Sequence, residues 1–152
     1  MMGPDERAQA AAIAALLDQA AIVERLSRPL TVAALLILMA PALTGHRWTG
    51  ALSVLLALVV LVGVLQGYLA LRVRFDAALF ARLAEGGALP DLAALDRTLL
   101  ALGLMPAAKI GRPLGPRIAG ARRLFRLQAL ALAAQVALIV LGTVAAADGW
   151  RG

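Results

Sequence analysis

The stretch Thr49-Gly-Ala-Leu-Ser-Val-Leu-Leu-Ala-Leu-Val-Val-Leu-Val-Gly-Val-Leu-Gln-Gly-Tyr-Leu-Ala-Leu71 holds no charged residue. A helix of about 20 apolar residues is enough to cross the ~30 Å hydrocarbon core of a bilayer. This one is apolar all round, whereas a helix at the surface of a soluble core keeps a polar face. The stretch therefore reads as a transmembrane helix over 49–71. Leu127 to Ala147 reads the same way and is also free of charge. A third apolar block, Pro29 to Leu43, is shorter, with room to extend upstream through Leu26 or downstream to Gly45. Pro41 falls near its end, where a lost hydrogen bond costs least. Ala40-Pro41-Ala42 has the small-x-small form of a signal-peptide cleavage site. The arm before the block, however, carries Asp5, Glu6, Asp18 and Glu24, unlike the short basic start of a signal peptide. The expectation is a retained span over 29–45.

Composition agrees with three spans. Of the 152 residues, 62% are hydrophobic, and the mean hydropathy is +0.85. A soluble domain has about 45–50% apolar residues. Fifteen Lys and Arg stand against nine Asp and Glu, for a net +6 and a pI near 11.4. Such a balance suits nucleic acid or phospholipid. A single lysine, 4% aromatics and no reader motif turn the reading away from nucleic acid and toward membrane lipids. No cysteine is present, which excludes disulfides, thiolate metal sites and cysteine nucleophiles. The wealth of alanine, leucine and arginine fits a GC-rich bacterial genome, so the expected location is the bacterial inner membrane.

Lys and Arg concentrate on the cytoplasmic side of inner-membrane proteins. The arm 1–28 holds Arg7, Arg25 and Arg28, and the segment 72–126 holds ten more. The turn 46–48 holds only Arg47, and the tail 148–152 only Arg151. An N-in, C-out arrangement thus puts thirteen inside and two outside. Trp48 and Trp150 then fall at the outer interface, with Tyr68, Phe75 and Phe125 at the inner one, as aromatic belts should.

The flanking parts read as helices. Residues 5–28 place Ile13, Leu16, Leu17, Ala20 and Val23 on one face, with Pro29 as the break before the span. The second span is expected to run on as helix to about Glu85, with Phe75, Leu79 and Leu83 on one side, until Gly86-Gly87 stops it. A further helix starts after Leu89-Pro90 with Asp91 as N-cap, carries Leu92, Leu95, Leu99 and Leu102, and ends at Gly103 and Pro106. Gly111, Pro113, Gly115 and Pro116 argue against regular helix over 109–117. The apolar stripes need partners, and the simplest arrangement packs them together as a small cytoplasmic helical layer. The fold class is thus an all-α integral membrane protein with three spans plus that layer.

Two groups of residues invite a function. Gly63, Gln66 and Gly67 form a G-x-x-x-G face in the second span, and Gln128, Ala131, Gln135 and Gly142 form a similar stripe in the third. Small residues let helices approach and glutamines hydrogen-bond between them, so both read as a helix-packing or oligomer face, with Gln66 expected to bond Gln135. Ala129, Ala133 and Ala137 make a second small-residue face. Lys109, Arg112, Arg117, Arg122, Arg123 and Arg126 lie close together without an acid among them. They suit anionic headgroups or a phosphate, or serve to hold the helix end inside. No ionisable residue lies within the spans, as a proton or ion path needs. His46 has no neighbouring ligand for a metal, and no catalytic set or cofactor fingerprint is present. The expected role is a non-catalytic accessory, scaffold or regulatory subunit of a larger complex, its partners other membrane-protein subunits or copies of itself. The alternative is a homo-oligomeric channel or small-solute transporter packed through Gly63 and Gly67.

Overall fold

A computed structural model describes residues 2–45, 50–86 and 91–149, the last five of them as backbone only. The turn 46–48 with His46, Arg47 and Trp48, the stretch Gly87 to Pro90, and Trp150 and Arg151 lie outside the described residues. Every regular element described is helical: α1 Pro4–Asp18, α2 Ala20–Thr44, α3 Gly50–Glu85, α4 Leu92–Ala101 and α5 Leu114–Gly149, with a short 3-10 turn Ala107–Lys109. Three helical stretches are long and apolar enough to cross a membrane: Pro4–Thr44, Gly50–Glu85 and Leu114–Val144. The chain is thus an all-α, multi-pass membrane protein.

Helix limits differ from the expectation in two places, both at prolines. The N-terminal helix does not run from residue 5 to Pro29. It closes at Asp18, and α2 opens at Ala20 and continues through both Pro29 and Pro41 to Thr44. Proline inside a membrane helix is tolerated where side-chain hydroxyls adjust the backbone bonding nearby. Thr31 Oγ1 donates to the Ser27 carbonyl (2.9 Å) around Pro29, and Thr44 Oγ1 to the Ala40 carbonyl (3.0 Å) around Pro41. The 25 residues of α2 span about 37 Å at 1.5 Å per residue, the first turns carrying Glu24, Arg25 and Arg28 ahead of the apolar span. The second difference is Pro116, which sits in the first turn of α5 instead of forbidding helix there. The first N–H groups of a helix have no carbonyl partner inside it, so a proline at the third position forfeits nothing.

The chain divides into two compact units. The first comprises 1–20 and 72–125. Its core joins Ile13 and Leu17 of α1, Val73, Phe80 and Leu83 of α3, Leu95 of α4 and Leu114 of α5. Of the anticipated face, Ile13, Leu17 and Ala20 join the core, whereas Leu16 is exposed and Val23 is half-buried in the second unit. On α3 Val73, Phe80 and Leu83 are buried and Ala77, Leu79 and Ala84 pack against them, so the expected Leu79 and Leu83 meet the core while Phe75 is exposed. Successive steps of four drift from the 3.6-residue period, and Phe75 is the one that leaves the face. In α4, Leu92, Leu95 and Leu99 pack on the core and Leu102 does not. Asp91 caps this helix as expected, its carboxylate accepting from the Ala94 N–H (2.9 Å). Gly86, with φ +69°, ends α3 in the left-handed region that glycine adopts without strain.

The second unit comprises 21–71 and 126–152 and holds the apolar stretches. Its large apolar side chains point mostly outward, among them Leu36, Leu61, Leu65, Leu130 and Leu141. Its buried set is mostly small or polar: Ala34, Val59, Ala70, Ala131, Ser27, Gln66, Gln128 and Gln135, with Leu69 the large apolar exception. Lipid is as apolar as leucine, so membrane helices gain little by hiding leucine from it and associate instead through close packing and polar bonds.

Candidate functional site

The second unit's interior holds a close approach of two helices. Thr31 of α2 lies against Gly63 of α3, and a Cβ on Gly63 would stand 2.0 Å from Thr31 Oγ1. Glycine is therefore required for that approach. Gln135 of α5 completes the cluster. Its Oε1 accepts from Ser27 Oγ (2.6 Å), and its Nε2 donates to Thr31 Oγ1 (2.8 Å) and, at 3.5 Å, to the Val59 carbonyl of α3. Ser27, Thr31 and Gln135 thus tie α2 to α5, and the Val59 carbonyl brings in α3. Ser27 and Gln135 are buried, so these bonds form out of reach of water.

The expected Gln66–Gln135 bond is absent. The hydroxyls of α2, on a helix whose polar residues drew no attention in the sequence, occupy Gln135 instead. Gln66 is 1% exposed, and neither its Oε1 nor its Nε2 has a hydrogen-bond partner. An unpaired buried amide costs roughly 1–3 kcal/mol by protein mutational measures. Gln66 and Gly67 line a cleft of about 270 Å³ with Glu24, Arg28, Thr31 and Gly63. Gly67 is exposed, with open space where a Cβ would be. Gln128, Ala131, Gln135 and Gly142 all face inward on α5, whereas Ala129, Ala133 and Ala137 are exposed. Gly142 borders a separate, almost wholly apolar cavity of about 370 Å³ that Leu30, Ile37, Leu52 and Ile139 also line.

In the first unit the basic group divides. Arg117 Nη2 donates to the carboxylate of Asp96 (2.6 Å), and its Nε to the Arg112 carbonyl (3.0 Å). Asp96 is buried and also accepts from the Gly111 N–H (2.8 Å), which fastens the turn after the 3-10 element to α4. Arg117 is thus a structural clasp, and the sequence reading missed Asp96. Lys109, Arg112, Arg122, Arg123 and Arg126 are exposed. Arg112 and Arg97 flank a groove of about 550 Å³ whose apolar wall includes Leu92, Leu100 and Ile110. Beyond it the segment exposes Leu102 and Leu104 as well.

Two carboxyls are perturbed. Burial pushes Asp76 above the usual carboxylate range, with Arg72 pulling the other way. The Ala94 backbone N–H holds Asp91 below that range, as a cap should. Among the described residues, no group of three or more His, Cys, Asp or Glu is arranged to hold a metal. No family model, curated protein or solved structure matches the chain.

Proposed function

We propose that this chain is a non-catalytic accessory subunit, a scaffold or regulator, of a larger complex in the bacterial inner membrane. On this reading it sits N-in and C-out, with the first unit on the cytoplasmic side. One observation carries the proposal. Leu100, Leu102, Leu104 and Ile110 are 41%, 65%, 56% and 50% exposed in a unit that otherwise has its own apolar core. An apolar patch of this kind outside the spans marks an interaction surface. The exposed cations beside it, Arg112 and Lys109 above all, suit a partner with acidic residues or the anionic headgroups of the cytoplasmic leaflet.

The channel reading draws less support. Gly63 is covered by Thr31, and Gln135 is engaged by Ser27 and Thr31, so neither is offered to a pore between protomers. The test is gentle extraction of the tagged chain from its host, followed by mass spectrometry. Other membrane subunits in fixed ratio are the expected result. A symmetric oligomer of this chain alone would overturn the proposal.

A further inference from the structure

The cleft between α2 and α3 offers a graded set of groups. At one end stand Glu24 and Arg28, which form an i,i+4 ion pair. The Arg28 side chain is 72% exposed and that of Glu24 only 12%. Guanidinium has five N–H donors in a fork, more than one carboxylate oxygen uses, and a carboxylate accepts from more than one donor. Thr31 and the unpartnered amide of Gln66 form the middle. Val32 and Val64, both largely exposed, form the apolar end. Gly63 and Gly67 carry no side chain to fill the space, and around Gly67 it is open.

We infer that this cleft is a binding site for one zwitterionic phospholipid that carries a primary ammonium. The phosphate lies on the exposed guanidinium of Arg28, and the ammonium donates to Glu24. Fixed opposite charges side by side match a headgroup that has both, whereas an anionic headgroup would meet the Glu24 carboxylate. Below the headgroup, an ester carbonyl accepts from Gln66 Nε2, and water entering with the lipid donates to Oε1. The acyl chains leave over Val32 and Val64 into the bilayer. The order of charge, amide and hydrocarbon along the cleft is the order of phosphate, ester and chain in a lipid. A partner helix would need small residues and an amide or hydroxyl but has no use for the ion pair, so the lipid is favoured. The inference does not depend on the accessory-subunit reading.

The full chain, stripped of lipid in detergent, is titrated with equimolar dioleoyl phosphatidylethanolamine, phosphatidylcholine and phosphatidylglycerol, and bound lipid is counted by native mass spectrometry. Wild type should retain one phosphatidylethanolamine in preference to the other two. Gly67→Leu, which fills open space, and Arg28→Ala should each lower retention at least tenfold. Glu24→Gln should erase the preference over phosphatidylcholine. Circular dichroism confirms that each variant is folded; if Arg28→Ala is not, Gly67→Leu decides. Retention unchanged in Gly67→Leu overturns the site, and a preference for phosphatidylglycerol overturns the headgroup assignment. A dimer that Gly67→Leu dissolves, with no lipid bound, assigns the cleft to a helix instead and also overturns it.

Discussion

The two units of this chain use the same residues in opposite places. In the first, leucine and phenylalanine are inside, and a buried ion pair, Asp96–Arg117, holds a turn. In the second, leucine is mostly outside, and the inside is largely alanine, serine and glutamine, with Thr31 packed on Gly63. On the proposed placement, with the first unit in water and the second in lipid, the difference follows from solvent. Water drives apolar side chains together at roughly 25 cal/mol per Å² of buried area, whereas lipid leaves helices to be joined by close approach and polar bonds. One sequence obeys both rules because its charges are confined largely to one unit.

Breaking the comparison is most damaging at Asp96. Arg117→Met leaves a buried carboxylate unpaired, for which about 3–5 kcal/mol is expected. Limited proteolysis across 100–117 should show early cleavage in that variant. Asp96→Asn combined with Arg117→Met should recover much of the loss, since no charge is then stranded. Next comes Gly63→Ala, which forces Thr31 away and should cost about 1–3 kcal/mol by overpacking, read as a lower Tm in detergent or bicelles. In the same assay Gln135→Leu should cost about 0.6–2 kcal/mol. In lipid-free detergent, Gln66→Leu removes an amide with no partner and should leave Tm unchanged or raise it. Equal losses at the two glutamines would mean that the hydrogen bonds of Gln135 contribute nothing.

The smallest effect belongs to Asp76. Its carboxyl pKa is raised in the folded chain, so the folded state binds the proton more tightly than the unfolded one. Stability is therefore greatest where the group is protonated and falls as pH rises through the raised pKa. Asp76→Asn should raise Tm modestly at pH 7, and the gain should vanish below the ordinary carboxylate range near about pH 4. A pH-independent difference would assign the effect to packing.

Local rules made much of the fold legible. A charge-free run marks α3 across its span, Asp91 marks the start of α4, and Gly86 its predecessor's end. Proline misled at 29 and 116, because the rule that it stops helices applies neither to a first turn nor to a membrane helix with hydroxyls at hand. The site was less legible. Ser27 and Gln135 are 108 positions apart, and Arg117 and Asp96 are 21 apart. No periodicity links such pairs; only the packing of helices brings them together. Gln66 and Gln135 look alike in sequence, and only the neighbouring α2 separates a bonded amide from an unpartnered one.

The accessory-subunit account predicts that partner binding resides in the exposed edge of the first unit and not in the bundle interior. Native extraction with mass spectrometry on two variants tests this directly. Leu102→Glu with Leu104→Glu should release the partner subunits while the chain stays folded in the membrane, and Gln135→Leu should retain them. Partners kept by the first variant and lost by the second would contradict the account and place the contact among the spans.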